Sequence, residues 1–417
     1  MMPDLTPIVL VLLGSVSAVA RPQTAEGDAV SGELTRARPR LDSIDLLRGA
    51  VMVLMALDHV RDFFSNAYAI DPVDLAKTNA ALFLTRWITH FCAPVFVFLA
   101  GTGAFLSGTR GKTKAELARF LLTRGLWIVS LEFTLVHLGW SFFDFHFFNL
   151  QVIWAIGWSM IVLAGLVFLP TWAVTAFGVV MIAGHNLFDN LQPERFGSFR
   201  WLWAALHSVQ IFDLPHDFHI RIGYPLVPWI GVMAAGYGFG QLMLIERGRR
   251  RKWLLGLGAG LTLAFVALRA TNLYGDPHHW SAQQNALFTV FSFINCEKYP
   301  PSLLYLLMTL GPAIALLALF DREAGRLGRP FVIFGRVPLF YYVLHLPLIQ
   351  SLTIIFAFVR YGRRMPELFA NGPPEGYGYS LPVVYLIWLA VVFTLLPACR
   401  WFARVKQRRR DAWLSYF

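Results

Sequence analysis

Residues 43–64 read SIDLLRGAVMVLMALDHVRDFF, an apolar run of nearly membrane-spanning length that also carries six ionisable side chains. At about 100° per residue, Arg48 and His59 lie within about 20° of each other on one helical face, roughly 16 Å apart along the axis. Asp45 and Asp62 lie near the same stripe. Because a charged side chain in hydrocarbon costs about 2.5–3.5 kcal/mol, the stripe is predicted to face a bundle interior or a wet cavity.

The composition predicts a polytopic membrane protein. The chain has 417 residues, is 56% hydrophobic, has a mean hydropathy of +0.54 and contains 36 Phe and 14 Trp, which excludes an ordinary soluble domain. The formal net charge of +11 would suggest nucleic acid in a soluble protein. Here the basic residues cluster between apolar spans, as orientation signals do, so the predicted partner is the lipid bilayer and not nucleic acid.

The apolar segments predict an all-α bundle of about ten transmembrane helices. Residues 190–215, which contain RWLWAALH, leave room for an interfacial or eleventh helix. The ten spans are predicted at residues 43–64, 82–106, 119–140, 149–169, 171–189, 222–245, 253–271, 301–320, 331–359 and 381–402.

Basic clusters follow the even-numbered spans, at residues 109–119, 246–252, 321–329 and 404–410. The positive-inside rule then predicts that both chain ends are cytoplasmic, with VRYGRR at 359–364 as the one outer exception. In this topology all eleven histidines fall in outer loops or in the outer halves of spans. Since histidine exchanges protons near neutral pH, proton chemistry is predicted on the outer side.

Both ends of the chain differ in composition from the spans. Residues 1–40 are predicted to form a disordered or signal-like tail, residues 41–403 the transmembrane domain and residues 404–417 a basic cytoplasmic tail. Residues 8–20 end in small residues, as before a signal-peptidase site, but no positive charge precedes them. A cleaved signal and an appended tail both stay open.

The cysteines predict no special chemistry. Cys92, Cys296 and Cys399 are too scattered for a disulfide framework, and none belongs to a CxxC or Cys/His spacing. No metal site is predicted.

Charged residues in the second and third spans have alternative interpretations. His90 follows Arg86 by one helical turn, either as part of a site or as a histidine satisfied between helices. Arg124 and Glu132 are eight residues apart, close to one face, and are predicted to form a buried pair. Glu132 orienting a histidine is the alternative.

Two later segments add polar groups. Glu297, Lys298 and Tyr299 lie at the outer mouth of the eighth span, where an acid, a base and a phenol suit either a polar acceptor or an interfacial belt. In the ninth span, Arg336 and His345 point about 180° apart on an ideal helix, so they share no face unless a proline deforms it.

Five motifs, in order, resemble those of known membrane acyltransferases. The first is similar to the opening signature of the acyltransferase-3 membrane proteins. The set, over about residues 40–415, more closely resembles bacterial relatives of heparan-alpha-glucosaminide N-acetyltransferase. The motifs are IDLLRGAVMVLMALDH at 44–59, THFCAPVFVFLAG at 89–101, IGYPLVPWIGVMAAGYG at 222–238, KYPPSLLYLLMTLGP at 298–312 and FGRVPLFYYVLH at 334–345.

This resemblance implies transfer of an acyl group, typically acetyl, from cytosolic acetyl-CoA to an extracytoplasmic sugar or amino sugar. Acetyl-CoA is then a co-substrate, and no permanently bound cofactor is expected. The implied location is the bacterial inner membrane, and a homodimer stays open. The lysosomal enzyme carries its catalytic histidine between the motifs of its first two helices, where this chain has SNAYAIDPVDLAKTN, residues 65–79, and no histidine.

The resemblance matches His59 to the first-helix histidine of the acyltransferase-3 proteins and Arg48 to their arginine. We therefore expect His59 to be the general base, oriented by Asp58 or Asp62, with His90 as the second choice.

The remaining site predictions divide between donor and acceptor. Arg48, with Asp45 beside it, is expected to bind the phosphates of the donor. Acceptor-side candidates are His345, Glu297, Lys298 and Tyr299.

A second class of function suits part of the same sequence. Proline-broken helices and buried charges are also natural in a transporter or flippase of a polar envelope precursor. Against it, the two halves contain no corresponding pair of broken segments that would mark an inverted repeat. A non-catalytic membrane component, whose charges only fix helix packing, is a third alternative.

Overall fold

The computed structural model describes residues 41–141, 144–322, 324–365, 373, 374, 376–409 and 411–417. The tail predicted for residues 1–40 lies outside the described residues. Helices make up most of the described chain, together with one three-stranded sheet. The predicted helical class is therefore confirmed, with a small sheet added to it.

The helices follow one another with short connections. The α-helices are α1 (Asp42–Phe64), α2 (Ala80–Thr89), α3 (Cys92–Gly108), α4 (Lys114–Leu131), α5 (His137–Ser141), α6 (Val152–Leu166), α7 (Thr171–Gly184), α8 (Arg200–His207), α9 (Leu226–Phe239), α10 (Arg247–Thr271), α11 (Ala286–Ile294), α12 (Leu303–Phe320), α13 (Arg329–Arg336), α14 (Pro338–Tyr361) and α15 (Leu381–Arg408). Shorter 3₁₀ or π segments are Glu132–Val136, His185–Phe188, Pro193–Phe199, Gly240–Leu244, Gly362–Arg364 and Ala412–Ser415.

Eight helical segments of the described chain are long and apolar enough to cross a membrane, so the chain is an integral membrane protein. They match eight of the ten predicted spans, and they are Ala80–Gly108, Lys114–Ser141, Thr171–Phe188, Leu226–Leu244, Arg247–Thr271, Leu303–Phe320, Pro338–Arg364 and Leu381–Arg408.

The other two predicted spans are also helical, but each differs from a simple lipid-facing span. α1 carries too many charged residues, and α6 has only 15 residues. RWLWAALH forms α8, an eight-residue helix too short to span a bilayer.

The charged helix α1 is buried among other helices. Met52, Ala56, Val60 and Phe64 on it are at most 1% exposed, and the helix packs against α13, α14, α15, α3 and α12. Asp45 is 2% exposed. Asp58 and Arg61 are 8% and 6% exposed, so the predicted burial of charge in the bundle holds for these residues, whereas the Asp62 side chain is 41% exposed.

α1 crosses α13 at two glycines. A Cβ on Gly335 would collide with the carbonyl oxygen of Asp45, and a Cβ on Gly49 would collide with that of Phe331. The two backbones therefore approach more closely than any side chain would allow. This contact also brings the Gly335 carbonyl within 3.3 Å of the Arg48 guanidinium, which donates to it.

The sheet was missed from the sequence. β1 (Phe147–Leu150) pairs in parallel with β3 (Phe218–Ile222), and β3 pairs antiparallel with β2 (Gln210–Leu214). Strands of four or five residues inside aromatic-rich connections give little periodic signal. The sheet joins the connection before α6 to the connection before α9.

We expect Gly335→Ala to lower the free energy of unfolding by about 1–3 kcal/mol, because the added methyl group must force α1 and α13 apart. Chemical denaturation in detergent micelles measures this change. Gly260→Ala is the matched control, since Gly260 lies on an exposed face of α10 with open space at its Cβ. Equal effects of the two substitutions would contradict the close crossing.

Candidate active site

Two histidines from distant parts of the chain meet in the bundle. Nδ1 of His59 on α1 lies 2.7 Å from Nε2 of His345 on α14, and the two rings stack with their centroids 4.9 Å apart. His345 is fully buried, and its Nδ1 lies 2.6 Å from the carbonyl oxygen of Tyr342. The acceptor-side candidate His345 is therefore a direct partner of His59.

The contacts of His345 determine the tautomers of a neutral pair. A carbonyl oxygen only accepts, so Nδ1–H of His345 donates to Tyr342. Nε2 of His345 then carries a lone pair, to which Nδ1–H of His59 donates. The lone pair of His59 is left on its Nε2, the position from which a neutral imidazole accepts a proton.

Asp58 and Asp62 bind arginines. Asp58 is 8% exposed and accepts from Arg61 at 3.0 Å and from Arg86 at short range. Asp62 accepts from Arg61 at 2.6 Å. The described hydrogen bonds of these two carboxylates thus go to guanidinium groups, while Nδ1 of His59 has His345 as its partner, so orientation of His59 by Asp58 or Asp62 stays a prediction.

His90, the second choice for the base, contacts a different residue. It is 3% exposed at the junction of α2 and α3, and its ring lies 5.5 Å from that of Tyr305. Its backbone carbonyl accepts from the Tyr305 hydroxyl at 2.7 Å. Its Nδ1 is buried without a hydrogen-bond partner among the described residues, so His90 stays the second candidate for the base.

A cavity of about 340 Å³ lies toward the Asp42 end of α1 and is lined by three arginines, Arg48, Arg110 and Arg124. We call it the Arg48 cavity. Arg48 donates to Asp45 at 3.5 Å and to the carbonyl of Leu99 at 3.4 Å. The remaining lining is largely apolar.

Arg124 belongs to the Arg48 cavity and not to a pair with Glu132. The Glu132 carboxylate accepts from the backbone N–H groups of Gln151 at 3.1 Å and Trp154 at 2.8 Å, at the start of α6. Nε of Arg124 has no hydrogen-bond partner among the described residues, and the guanidinium lies 5.8 Å from the Phe120 ring. The predicted Arg124–Glu132 pair is wrong because the free N–H groups at a helix start attract the carboxylate.

A second, more polar cavity of about 270 Å³ lies toward the Phe64 end of α1. We call it the Arg86 cavity. Its charged lining consists of Arg61, Asp62, Arg86 and Asp71, and residues 65–72 form much of its wall.

The histidine pair lies between the two cavities along α1. Met55 lines the Arg48 cavity, while Arg61 and Asp62 line the Arg86 cavity. At 1.5 Å per residue, Met55 and Arg61 are only about 9 Å apart along the axis, and His59 lies between them. Tyr342, which accepts from His345, also lines the Arg48 cavity.

The segment before α12 contributes a cation and a phenol on the Arg86 side. Lys298 is 8% exposed, interacts electrostatically with Asp58, and has its Nζ 5.0 Å from the centre of the Tyr299 ring. Burial acts to raise the pKa of Tyr299, but Lys298 and Arg86 hold it below its ordinary value. Two of the acceptor-side candidates thus lie in the field of the Asp58–Arg86 pair.

Glu297 faces away from this group. Its carboxylate accepts from the backbone N–H of Tyr299 at 2.8 Å and lies 3.1 Å from Nε2 of the exposed His278. Burial raises the pKa of Glu297 above its ordinary value. Its described side-chain hydrogen bonds are with the Tyr299 backbone and with His278, in the connection before α11.

Sequence reasoning missed Arg110 and Tyr342. Arg110 stands in a basic cluster that had been interpreted only as an orientation signal. Tyr342 precedes His345 by three residues, a spacing at which a helical carbonyl can meet the following ring, so the signal was present.

A comparison with family models finds a match over more than half of the chain. The model described as heparan-alpha-glucosaminide N-acetyltransferase, catalytic, matches residues 40–272. This range contains His59, Asp58 and the three arginines of the Arg48 cavity, whereas His345 and Lys298 lie beyond it. A search of individually curated proteins gives no match.

We expect Asp58→Ala to lower the free energy of unfolding by about 3–5 kcal/mol, because it leaves the buried Arg61 and Arg86 without their shared carboxylate. Chemical denaturation in detergent micelles again measures this change in the free energy of unfolding. Asp74→Ala is the control, since the Asp74–Lys77 pair is largely exposed and contributes about 1 kcal/mol or less. If Asp58→Ala lowers the free energy of unfolding no more than Asp74→Ala does, Asp58 is not the stabilising partner of the two arginines.

Proposed function

Because the chain belongs to the heparan-alpha-glucosaminide N-acetyltransferase catalytic family, we propose that it moves an acetyl group from acetyl-CoA to a sugar or amino sugar across the membrane. The observation that carries this proposal is the His59–His345 pair, which lies between an arginine-lined cavity and a second polar cavity. Family membership by itself indicates that the chain is a membrane N-acetyltransferase.

The Arg48 cavity is the proposed donor site. Guanidinium groups bind phosphate oxygens through paired N–H donors, and three of them line this cavity against the one carboxylate of Asp45. The apolar remainder suits the uncharged pantetheine arm. The basic clusters counted in the sequence favour the cytoplasm for this end of the bundle, with the bacterial inner membrane as the proposed location.

His59 is the proposed general base. Its Nε2 takes a proton from the acceptor amine or hydroxyl as that group attacks the thioester carbonyl. The new C–N or C–O bond forms, the C–S bond breaks, and the CoA thiolate receives the proton as it leaves. His345 is a positioning residue, since it fixes the tautomer of His59 without touching the reacting atoms.

The Arg86 cavity is the proposed acceptor site. Sugars present neutral hydroxyl groups that both donate and accept, and this cavity offers arginine donors beside the carboxylates of Asp62 and Asp71. Lys298 and Tyr299 are the proposed contributors from the segment before α12.

We expect His59→Ala to lower acyl transfer by about 10²–10⁴-fold, because general-base assistance is lost. The assay measures thiol release from acetyl-CoA in proteoliposomes supplied with amino sugars and envelope glycans. Membrane insertion and acetyl-CoA binding should be unchanged. His279→Ala, at an exposed loop position, is the matched control and should retain full activity.

Two outcomes would contradict this assignment. Near-normal thiol release from the His59→Ala variant removes His59 as the base. Sugar transport by the wild-type protein without thiol release favours the carrier class instead. Since His345 acts through His59, adding His345→Ala to His59→Ala should cause little further loss.

We expect Arg124→Ala to raise the KM for acetyl-CoA about tenfold, because one charge-assisted contact to phosphate is lost. Arg48→Ala should act in the same direction. Steady-state kinetics with each substrate varied separately distinguish donor from acceptor binding. Arg119→Ala is the control, on the same helix but exposed and outside the cavity lining. A rise confined to the KM of the acceptor would refute the donor assignment.

A further inference from the structure

Two histidines and one aspartate form a cluster on elements that line neither cavity. His185 follows α7 directly, Asp189 lies four residues later, and His207 ends α8. One ligand atom from each of the three side chains lies within 4.8 Å of the other two. His185 and His207 are 2% and 4% exposed, and the Asp189 side chain is about one-fifth exposed.

The ring of His185 has a buried lone pair with no donor to satisfy it. Neither ring nitrogen has a hydrogen-bond partner of normal geometry among the described residues. The ring does interact with the backbone of Pro301, whose carbonyl oxygen is the only hydrogen-bonding group there. Whichever nitrogen carries the proton in the neutral ring, the other nitrogen keeps a lone pair that no described donor satisfies. Buried polar atoms of this kind require an explanation.

The other two members of the cluster are held in place by neighbours. Nε2 of His207 lies 3.9 Å from the Asp189 carboxylate, and its ring stacks on Trp203 with centroids 5.3 Å apart. The second carboxylate oxygen of Asp189 accepts from the Asn186 amide at 2.8 Å. Orientation of ligand groups by outer hydrogen bonds and packing is typical of metal sites.

We propose that His185, Asp189 and His207 bind a divalent cation of the zinc class. Two imidazole nitrogens and one carboxylate oxygen form a donor set that Zn²⁺ favours, whereas Ca²⁺ and Mg²⁺ prefer oxygen ligands. The exposed side of Asp189 leaves a fourth position for water. No two of these residues are closer than four positions, and His207 lies 22 residues after His185. The spacing of cysteines and histidines in the sequence therefore did not indicate a metal site.

The required closure of the ligands is small. Tetrahedral coordination at bond lengths of about 2.0–2.1 Å separates neighbouring ligand atoms by about 3.4 Å. The three atoms lie within 4.8 Å of one another, so the widest pair must approach by up to about 1.4 Å, a distance in the range of side-chain rotation. In doing so His207 exchanges its present contact with the His185 carbonyl, at 2.8 Å, for the metal.

A cation at this position would stabilise the segment before α12, which contributes to the proposed acceptor site. The side-chain Oδ1 of Asn186 accepts from the backbone N–H of Leu303 at 2.9 Å, at the first residue of α12. Pro301, which interacts with His185, follows Lys298 by three residues. The metal would thus connect the ends of α7 and α8 to the segment that carries Lys298.

Zinc binding by the purified full-length protein tests the proposal. After EDTA treatment, the wild-type chain should take up one Zn²⁺ per chain by elemental analysis, and its Tm should rise with added Zn²⁺, because a ligand of the folded state stabilises it. Co²⁺ in place of Zn²⁺ should give d–d absorption bands. These readouts do not depend on acyl transfer, so failure here leaves the proposed function untouched.

Three variants make the test specific. His207→Ala and Asp189→Asn should each weaken Zn²⁺ binding at least tenfold, whereas His279→Ala, at an exposed histidine outside the cluster, should bind as the wild type does. If His207→Ala fails to fold, Zn²⁺ binding by Asp189→Asn tests the proposal instead, because this substitution keeps the shape of a partly exposed side chain. Sub-stoichiometric zinc in the wild type, or unchanged affinity in Asp189→Asn, would overturn the proposal.

Discussion

The burial of charge on α1 is the constraint on which the rest of the bundle depends. Asp58 is stable there only because Arg61 from its own helix and Arg86 from α2 both bind it. At the other end Asp45 lies 3.8 Å from Arg336 of α13, beside the glycine crossing. The ion pairs thus fasten neighbouring helices to both ends of α1. Between them, His59 meets a neutral partner, and the two cavities open on either side of it.

The choice of partner for His59 has a chemical consequence. A carboxylate hydrogen-bonded to a histidine would stabilise its imidazolium form. Here the hydrogen bonds run from His59 to His345 and end at the Tyr342 carbonyl, which accepts a hydrogen bond but carries no full charge. His59 therefore has no full negative charge as its direct hydrogen-bond partner. As the proposed general base, a histidine with such a partner suits a reaction in which the proton is passed on at once. Thioester attack meets this requirement because the departing thiolate is itself a proton acceptor.

The sequence was informative where local periodicity decides and uninformative where distant elements meet. Residue spacing predicts that Arg48 and His59 share one face of α1. The cost of charge in lipid predicts that this face is turned toward the bundle or a cavity. The partnership of His59 with His345 was not predicted, because 286 residues separate them and only tertiary packing brings α1 to α14. Glu132 was assigned to Arg124 by spacing alone, but the start of α6 offers it two backbone donors that no local rule predicts.

The positions of the two cavities also restrict what can cross the protein. The axial distance from Arg48 to His59 is about 16 Å, and the residues of α1 between them are almost all apolar. A phosphate group that left the arginines would lose charge-assisted hydrogen bonds and enter a region without replacements, at a cost of several kcal/mol. A thin uncharged arm does not meet this barrier. In the proposed function, this arrangement would bring the thioester on the pantetheine arm toward His59 while the charged part of acetyl-CoA stays at the Arg48 end, which would separate group transfer from transport of the whole donor.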